Sequence, residues 1–188
     1  MLKALLMGAL VLATSVTVGA QWTTDGRPVA ASDAHKVKDG LAAYLVLVPR
    51  PIQVLEDFSS APPGQVPPLA LVDRVSDGEE FGAVVLIAGC DDLPSDECRL
   101  TVTFSVMRPD GTPYTGGTSQ PRQAEPPLAG TGSRPATSFL KLKLSVHDPR
   151  GIYQVSAKVN DASRGITLDL ETCVILEDSL PAATARPN

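Results

Sequence analysis

Aromatic residues are scarce in this chain: one Trp, three Tyr and four Phe among 188 residues. A core built from it must be aliphatic. Histidine is scarcer still, with only His35 and His147, so a zinc site would need carboxylates or cysteines to complete it. No spacing supports that. Basic residues are outnumbered, 16 Lys and Arg against 21 Asp and Glu, for a net charge of −5. An acidic chain has no electrostatic reason to seek nucleic acid or an anionic membrane surface. A phosphate-binding glycine loop is missing as well. Gly116, Gly117, Gly130 and Gly132 precede a strand-like run and not a helix.

Long apolar runs are also lacking, with one exception at the start. The chain opens MLKALLMGALVLATSVTVGAQW. Lys3 forms a short basic region, residues 4–13 an apolar one, and Val18-Gly19-Ala20 a small-residue cleavage site. This is the pattern of a secretory signal peptide cut after Ala20. The run is shorter than the roughly 20 apolar residues of a membrane span. The expectation is a periplasmic or secreted protein with no transmembrane segment after cleavage. Losing Lys3 makes the mature chain one unit more acidic.

Three cysteines in an oxidising compartment suggest one disulfide and one leftover thiol. Cys90 and Cys98 flank a hairpin-length loop and are the natural pair, since closing a short loop costs little entropy. Cys173 is then free. Pairing of Cys173 with either of the others stays open, because it depends on geometry.

What the sequence does have is alternation. FGAVVLIAG (81–89) is continuously apolar, which predicts a strand covered on both faces. RLTVTFSVMRP (99–109) alternates, with Leu100, Val102, Phe104 and Val106 facing one way. In FLKLKLSV (139–146), Leu140, Leu142, Leu144 and Val146 are expected inward and Lys141 and Lys143 outward. IYQVSAKV (152–159) points Tyr153, Val155, Ala157 and Val159 inward. ITLDLETCVIL (166–176) does the same with Ile166, Leu168, Leu170, Val174 and Leu176. AAYLVLV (42–48) and LALVDRV (69–75) complete seven strand-like runs. Between those two, residues 49–68 are proline-rich and expected to connect across the surface. IQVLEDF within them fits a short helix or a strand.

Seven strands separated by turns, with no strong helix, predict an all-β fold: an antiparallel two-sheet sandwich, immunoglobulin-like or fibronectin-like. A small barrel is the alternative. The expected division is a signal peptide (1–20), an N-terminal extended and proline-rich segment (21–65), a β-sandwich domain (66–178) and a flexible tail (179–188). Neither antibody-domain hallmark is present. Trp22 lies outside the core runs, and a close Cys90–Cys98 pair is not an inter-sheet bridge.

Short motifs recur at intervals: Trp22, Asp25-Gly26 and Pro28-Val29; Arg108-Pro109-Asp110-Gly111; then Asp148-Pro149, Gly151, Tyr153, Val155, Val159, Asp161, Arg164-Gly165, Leu168 and Leu170. This pattern resembles a group of exported proteobacterial proteins with no established activity and an immunoglobulin-like β-sandwich pattern. The resemblance implies a compartment and a sandwich-like fold, and no reaction.

Chemistry-bearing clusters are few. GCDDLPSDEC (89–98) gathers Asp91, Asp92, Asp96 and Glu97 between two cysteines. Oxygen ligands suit calcium, but the loop lacks the spaced ligand ladder of an EF-hand. These four are weak metal candidates at most. The plainer reading is a stapled, solvated hairpin tip. A glycosidase-type carboxylate pair needs a cleft and one raised pKa, which a hairpin tip does not offer. Cys173, His147 and Asp148 are the residue types of a thiol triad, yet Cys173 has the outward parity of its strand. No cofactor is expected. The long segment 111–137 is read as a mobile loop, with Tyr114, Arg122 and Arg134 as its interface-type residues. An edge strand open to a partner strand is the other candidate surface. The function these readings favour is a non-catalytic exported module. It would bind a protein partner or a cell-envelope component, or play a structural part. The alternative is a calcium-dependent accessory protein or hydrolase using loop 91–97.

Overall fold

The computed structural model describes residues 23–24, 27–28, 30–62, 65–89, 100–121 and 134–177. Two short strands, β1 (Thr23–Thr24) and β2 (Arg27–Pro28), pair with each other. The main body is two sheets. One holds β3 (His35–Lys38), β4 (Leu41–Val48), β6 (Glu80–Ala88), β9 (Arg134–Lys143) and β8 (Thr118–Pro121), in the order β3-β4-β6-β9-β8. The other holds β5 (Arg74–Val75), β11 (Ile166–Leu176), β10 (Gly151–Asp161) and β7 (Leu100–Met107), in the order β5-β11-β10-β7. All neighbours are antiparallel except β5 and β11, which run parallel. The fold is an all-β two-sheet sandwich, as the alternation predicts.

The core between the sheets is mainly aliphatic, with Phe81 and Tyr153 as its buried aromatics. Leu41, Leu45, Phe81, Val85, Leu142, Leu144, Val155, Leu168, Leu170 and Leu176 are all nearly inaccessible to solvent. The predicted inward sets of β10 and β11 are buried residue for residue. Val146 is the exception among the inward assignments. It is 65% exposed, because β9 ends at Lys143 and the chain then turns.

The continuous apolar run of β6 has a specific cause. Its odd-numbered residues, Phe81, Ala83, Val85 and Ile87, face the inter-sheet core. Val84 and Leu86 face the opposite side, together with Ala42, Val46 and Val48 of β4 and Phe139 of β9. That side is covered by a helix, α1 (Pro51–Ser60). Pro51 stands at the first turn, where its fixed φ and missing N–H suit a helix start. Pro51, Val54, Leu55 and Phe58 are buried at helical spacing. Full burial of a side chain of this size contributes about 1.5–3 kcal/mol. Gly82 is where helix and sheet touch. A Cβ there would stand 2.6 Å from both the Leu140 carbonyl oxygen and Pro51 Cγ.

Several sequence expectations are corrected here. The sandwich does not begin at residue 66, since β4 is an interior strand of the five-stranded sheet. The proline-rich 49–68 is not only a surface connection; its first half is the helix that covers β4 and β6. Of LALVDRV only Arg74–Val75 pairs as a strand, and Leu71 is 59% exposed. Of the segment 111–137, residues 111–121 and 134–137 are among the described ones. Its residues 111–121 follow a turn into β8, and β9 begins at Arg134, not Phe139. Pro135 concealed that start. It is accommodated where the β6–β9 register shifts between Val84 and Leu86, the kind of irregularity that tolerates a strand proline.

Candidate functional site

The motifs at 108–111, 148–153 and 161–165 come together in two polar clusters. The first joins three turns. In the turn after β7, Gly111 N donates to Arg108 O at 2.9 Å and Arg108 N to Thr112 O at 2.8 Å. The Asp110 carboxylate accepts from Thr112 N (2.9 Å) and Thr112 Oγ1 (2.7 Å). The Thr112 hydroxyl, more than any other group, holds the Asp110 carboxyl below its ordinary value. Before β10, Asp148 Oδ2 accepts from Ser145 N (2.8 Å) and Ser145 Oγ (2.9 Å). In the turn before β6, Gly78 N donates to Leu144 O at 2.7 Å.

Side chains tie the turns to one another. Arg150 makes a two-pronged ion pair with Asp77. The Arg108 guanidinium stands 3.9 Å from Asp148 and 5.3 Å over the Tyr114 ring. Tyr114 meets Tyr153 edge to face, with centroids 5.9 Å apart. Its hydroxyl donates to Lys143 O at 3.0 Å, while Tyr153 donates to Pro149 O at 2.8 Å. Burial, reinforced by the negative charge of Asp148, pushes both phenols above their ordinary value. Gly151 completes the corner. Its φ is +130°, and a Cβ would lie 3.1 Å from Pro109. The RPDG and DP-x-G-x-Y motifs are therefore two halves of one corner.

The second cluster holds the turn between β10 and β11. Asp161 is fully buried. It accepts from Ser163 N (2.9 Å), Ser163 Oγ (2.5 Å), Arg164 N (3.3 Å) and Arg164 Nε (2.5 Å). Burial pushes its carboxyl up, but the bonds from Ser163 and Arg164 outweigh that and hold it below the ordinary value. Arg164 also donates to Gly89 O at 3.1 Å, which anchors the point where the acidic loop begins.

Several sequence-predicted residues lie outside the described ones: Trp22, Cys90, Asp91, Asp92, Asp96, Glu97, Cys98 and Arg122. Tyr114 is not on a mobile loop; it is half-buried against the core and fastened at its hydroxyl. Arg134 is likewise not a loop residue. It is half-buried at the start of β9, opposite Ile87. Cys173 is a free, exposed thiol, opposite Gln154 in the β10–β11 register. Asp148 is engaged by Ser145 and Arg108, not by the His147 ring, so the described bonds assemble no triad. Among the described residues, no three His, Cys, Asp or Glu side chains gather as metal ligands. Nor, among them, is any helix long and apolar enough to cross a membrane.

No protein-family model and no curated protein matches the chain. Among solved structures, it is similar to a family 123 glycoside hydrolase from Clostridium perfringens, with 11% identity and a TM-score of 0.40. The similarity covers 74% of this chain and 27% of that one.

Proposed function

We propose that this chain is an exported, non-catalytic binding or structural module of the periplasm or cell exterior, built on an immunoglobulin-type sandwich. One observation carries the non-catalytic reading. Across the two polar clusters the carboxylates and phenols are engaged in fastening turns: Asp110, Asp148 and Asp161 accept main-chain N–H groups, and Tyr114 and Tyr153 donate to carbonyls. Groups held this way support a rigid scaffold.

The immunoglobulin-type reading is supported by strand order. The run β4-β6-β9-β8 faces β7, β10 and β11, as strands A, B, E and D face C, F and G in a constant-type domain. The bond from Tyr153, near the start of β10, back to Pro149 has the form of the tyrosine corner of that fold. Export rests on the leader pattern, and a Cys90–Cys98 disulfide on spacing and compartment.

Fractionation of the producing cell tests the compartment. The expected result is a periplasmic or extracellular chain beginning at Gln21. Melting with and without a chelator, then with added calcium, tests the role. No shift is expected. A rise in Tm of several degrees with calcium, abolished in an Asp91→Asn/Asp96→Asn variant, would replace this reading with a calcium-dependent one.

A further inference from the structure

Edge strands expose unpaired main-chain groups, and proteins protect them with charge, proline, bulges or shortness. Three sheet ends of this sandwich carry such protection. β3 reads HKVK, with Lys36 and Lys38. β8 ends in Pro121. β5 is two residues long. The fourth end is β7, LTVTFSVM: eight residues with no charge, proline or glycine, paired in continuous register with β10.

The direction of its free groups follows from the turn beyond it. Tyr114 N donates to Val106 O and Arg108 N to Thr112 O, closing a bridge between Met107 and Pro113. Even-numbered residues of β7 therefore direct their N–H and C=O to the edge. Val106 is capped in this way. Leu100, Val102 and Phe104 are not paired there by any main-chain group of the described residues. Among the described residues, a side chain reaches this edge only at Val102, whose carbonyl accepts a long bond, 3.4 Å, from Ser138 Oγ. The side chains of these three residues are half-buried against the core, and Thr101, Thr103 and Ser105 are exposed on the opposite face.

We infer that this edge is a self-association surface, and that its occupant is β7 of a second copy, paired antiparallel about a twofold axis at Val102. The choice of axis is constrained. Edge-facing residues must oppose edge-facing residues, and Tyr114 blocks Val106. An axis at Val102 places Leu100 opposite Phe104 of the second copy and Val102 opposite its equivalent. On the outer face Thr101 opposes Thr103, a favourable cross-strand pair. An uncharged strand meets itself without like-charge repulsion, although the chain as a whole is acidic. The same patch on both subunits makes a closed, isologous contact. An interface one strand long is small, so the dimer is expected to be weak, with Kd on the order of 10 μM.

The test is sedimentation of the purified chain from about 1 μM to about 1 mM, beside a Thr101→Glu/Thr103→Glu variant. The new carboxylates would face one another across the axis, while in the monomer Thr103 neighbours Lys158 on β10. The expected result is a wild-type dimer whose Kd rises at least about tenfold in the folded variant. Val102→Pro, which removes the edge N–H and trims some core packing, should do the same in a variant that still folds. Mixing Thr101→Cys with Thr103→Cys, each in a Cys173→Ser background, should give a mixed disulfide in preference to either homodimer. A wild type that stays monomeric throughout would overturn the inference. So would a dimer indifferent to the glutamates, or a monomer whose Val102 and Phe104 amides resist hydrogen exchange.

Discussion

The hydroxyl of Tyr153 donates to the carbonyl of Pro149, four residues upstream, at 2.8 Å, while the ring is wholly buried. One side chain thus closes the corner before β10 and fills the core beneath it. Tyr153→Ala is expected to cost about 3–5 kcal/mol, and Tyr153→Phe, which removes only the hydrogen bond, about 1 kcal/mol. Urea denaturation of the two variants measures the separation. Equal costs would show that the hydroxyl, not the ring, dominates.

The same corner predicts a loss of stability in alkali. The Tyr114 and Tyr153 phenols are raised by burial and by Asp148. An acid whose folded pKa lies above its unfolded one contributes stability that is fully present below the unfolded value. That stability is lost as pH rises through the folded value. The denaturation midpoint should therefore fall above the ordinary phenol range, and fall less in a Tyr114→Phe/Tyr153→Phe variant. Tyrosinate absorbance during the titration assigns the change.

Asp161 acts with the opposite sign. Its carboxyl is held below the ordinary value, so its contribution is present above the unfolded pKa and lost as pH falls through the folded one. Asp161→Ala strands the Arg164 guanidinium and is expected to cost roughly 3 kcal/mol at neutral pH. Asp161→Asn should flatten the fall in stability below about pH 4. Chemical denaturation at neutral and acid pH checks both.

The contact at Gly82 makes a prediction about the helix. Gly82→Ala drives a methyl into Pro51 and the Leu140 carbonyl, and is expected to destabilise by about 1–3 kcal/mol. Phe58→Ala removes the single aromatic of the helix and should cost about 3 kcal/mol or more. A fold unchanged by either would mean that α1 contributes little to the sheet beneath it.

Cys173 should react with a thiol reagent in the native protein without denaturant, because it is exposed on β11. Cys173→Ser should alter stability by no more than about 0.5 kcal/mol. Unreduced peptide mapping that found Cys173 bridged would contradict the expected Cys90–Cys98 pairing.

The strands were legible wherever period-2 alternation was clean, as in β7, β10 and β11. The phase of Tyr153 followed from that alternation alone. The helix was harder to read, because Pro51 and the prolines flanking it resembled a linker. The usable signal was the spacing of Pro51, Val54, Leu55 and Phe58, together with a β6 run that required a cover on both faces. The start of β9 was hidden by Pro135, whose place depends on a register shift in the neighbouring strand. Tyr114 looked like a loose interface residue because composition cannot reveal a bond to Lys143, 29 positions away. The motifs RPDG and DP-x-G-x-Y were visible as words, but only the fold brings Pro109 against Gly151.

The pairing of β5 with β11 joins positions a hundred residues apart; the bond between Arg74 and Glu177 spans 103. The last strand also supplies Ile166, Leu168, Leu170, Val174 and Leu176 to the core, and its Glu171 amide donates to Asp33 O near the other end of the described chain. Non-local closure of this kind is slow and comes late. A growing chain consequently has no closed sandwich to settle into until its final strand is made. It remains unclosed for nearly the whole of its synthesis, which is the state that the proposed export would require.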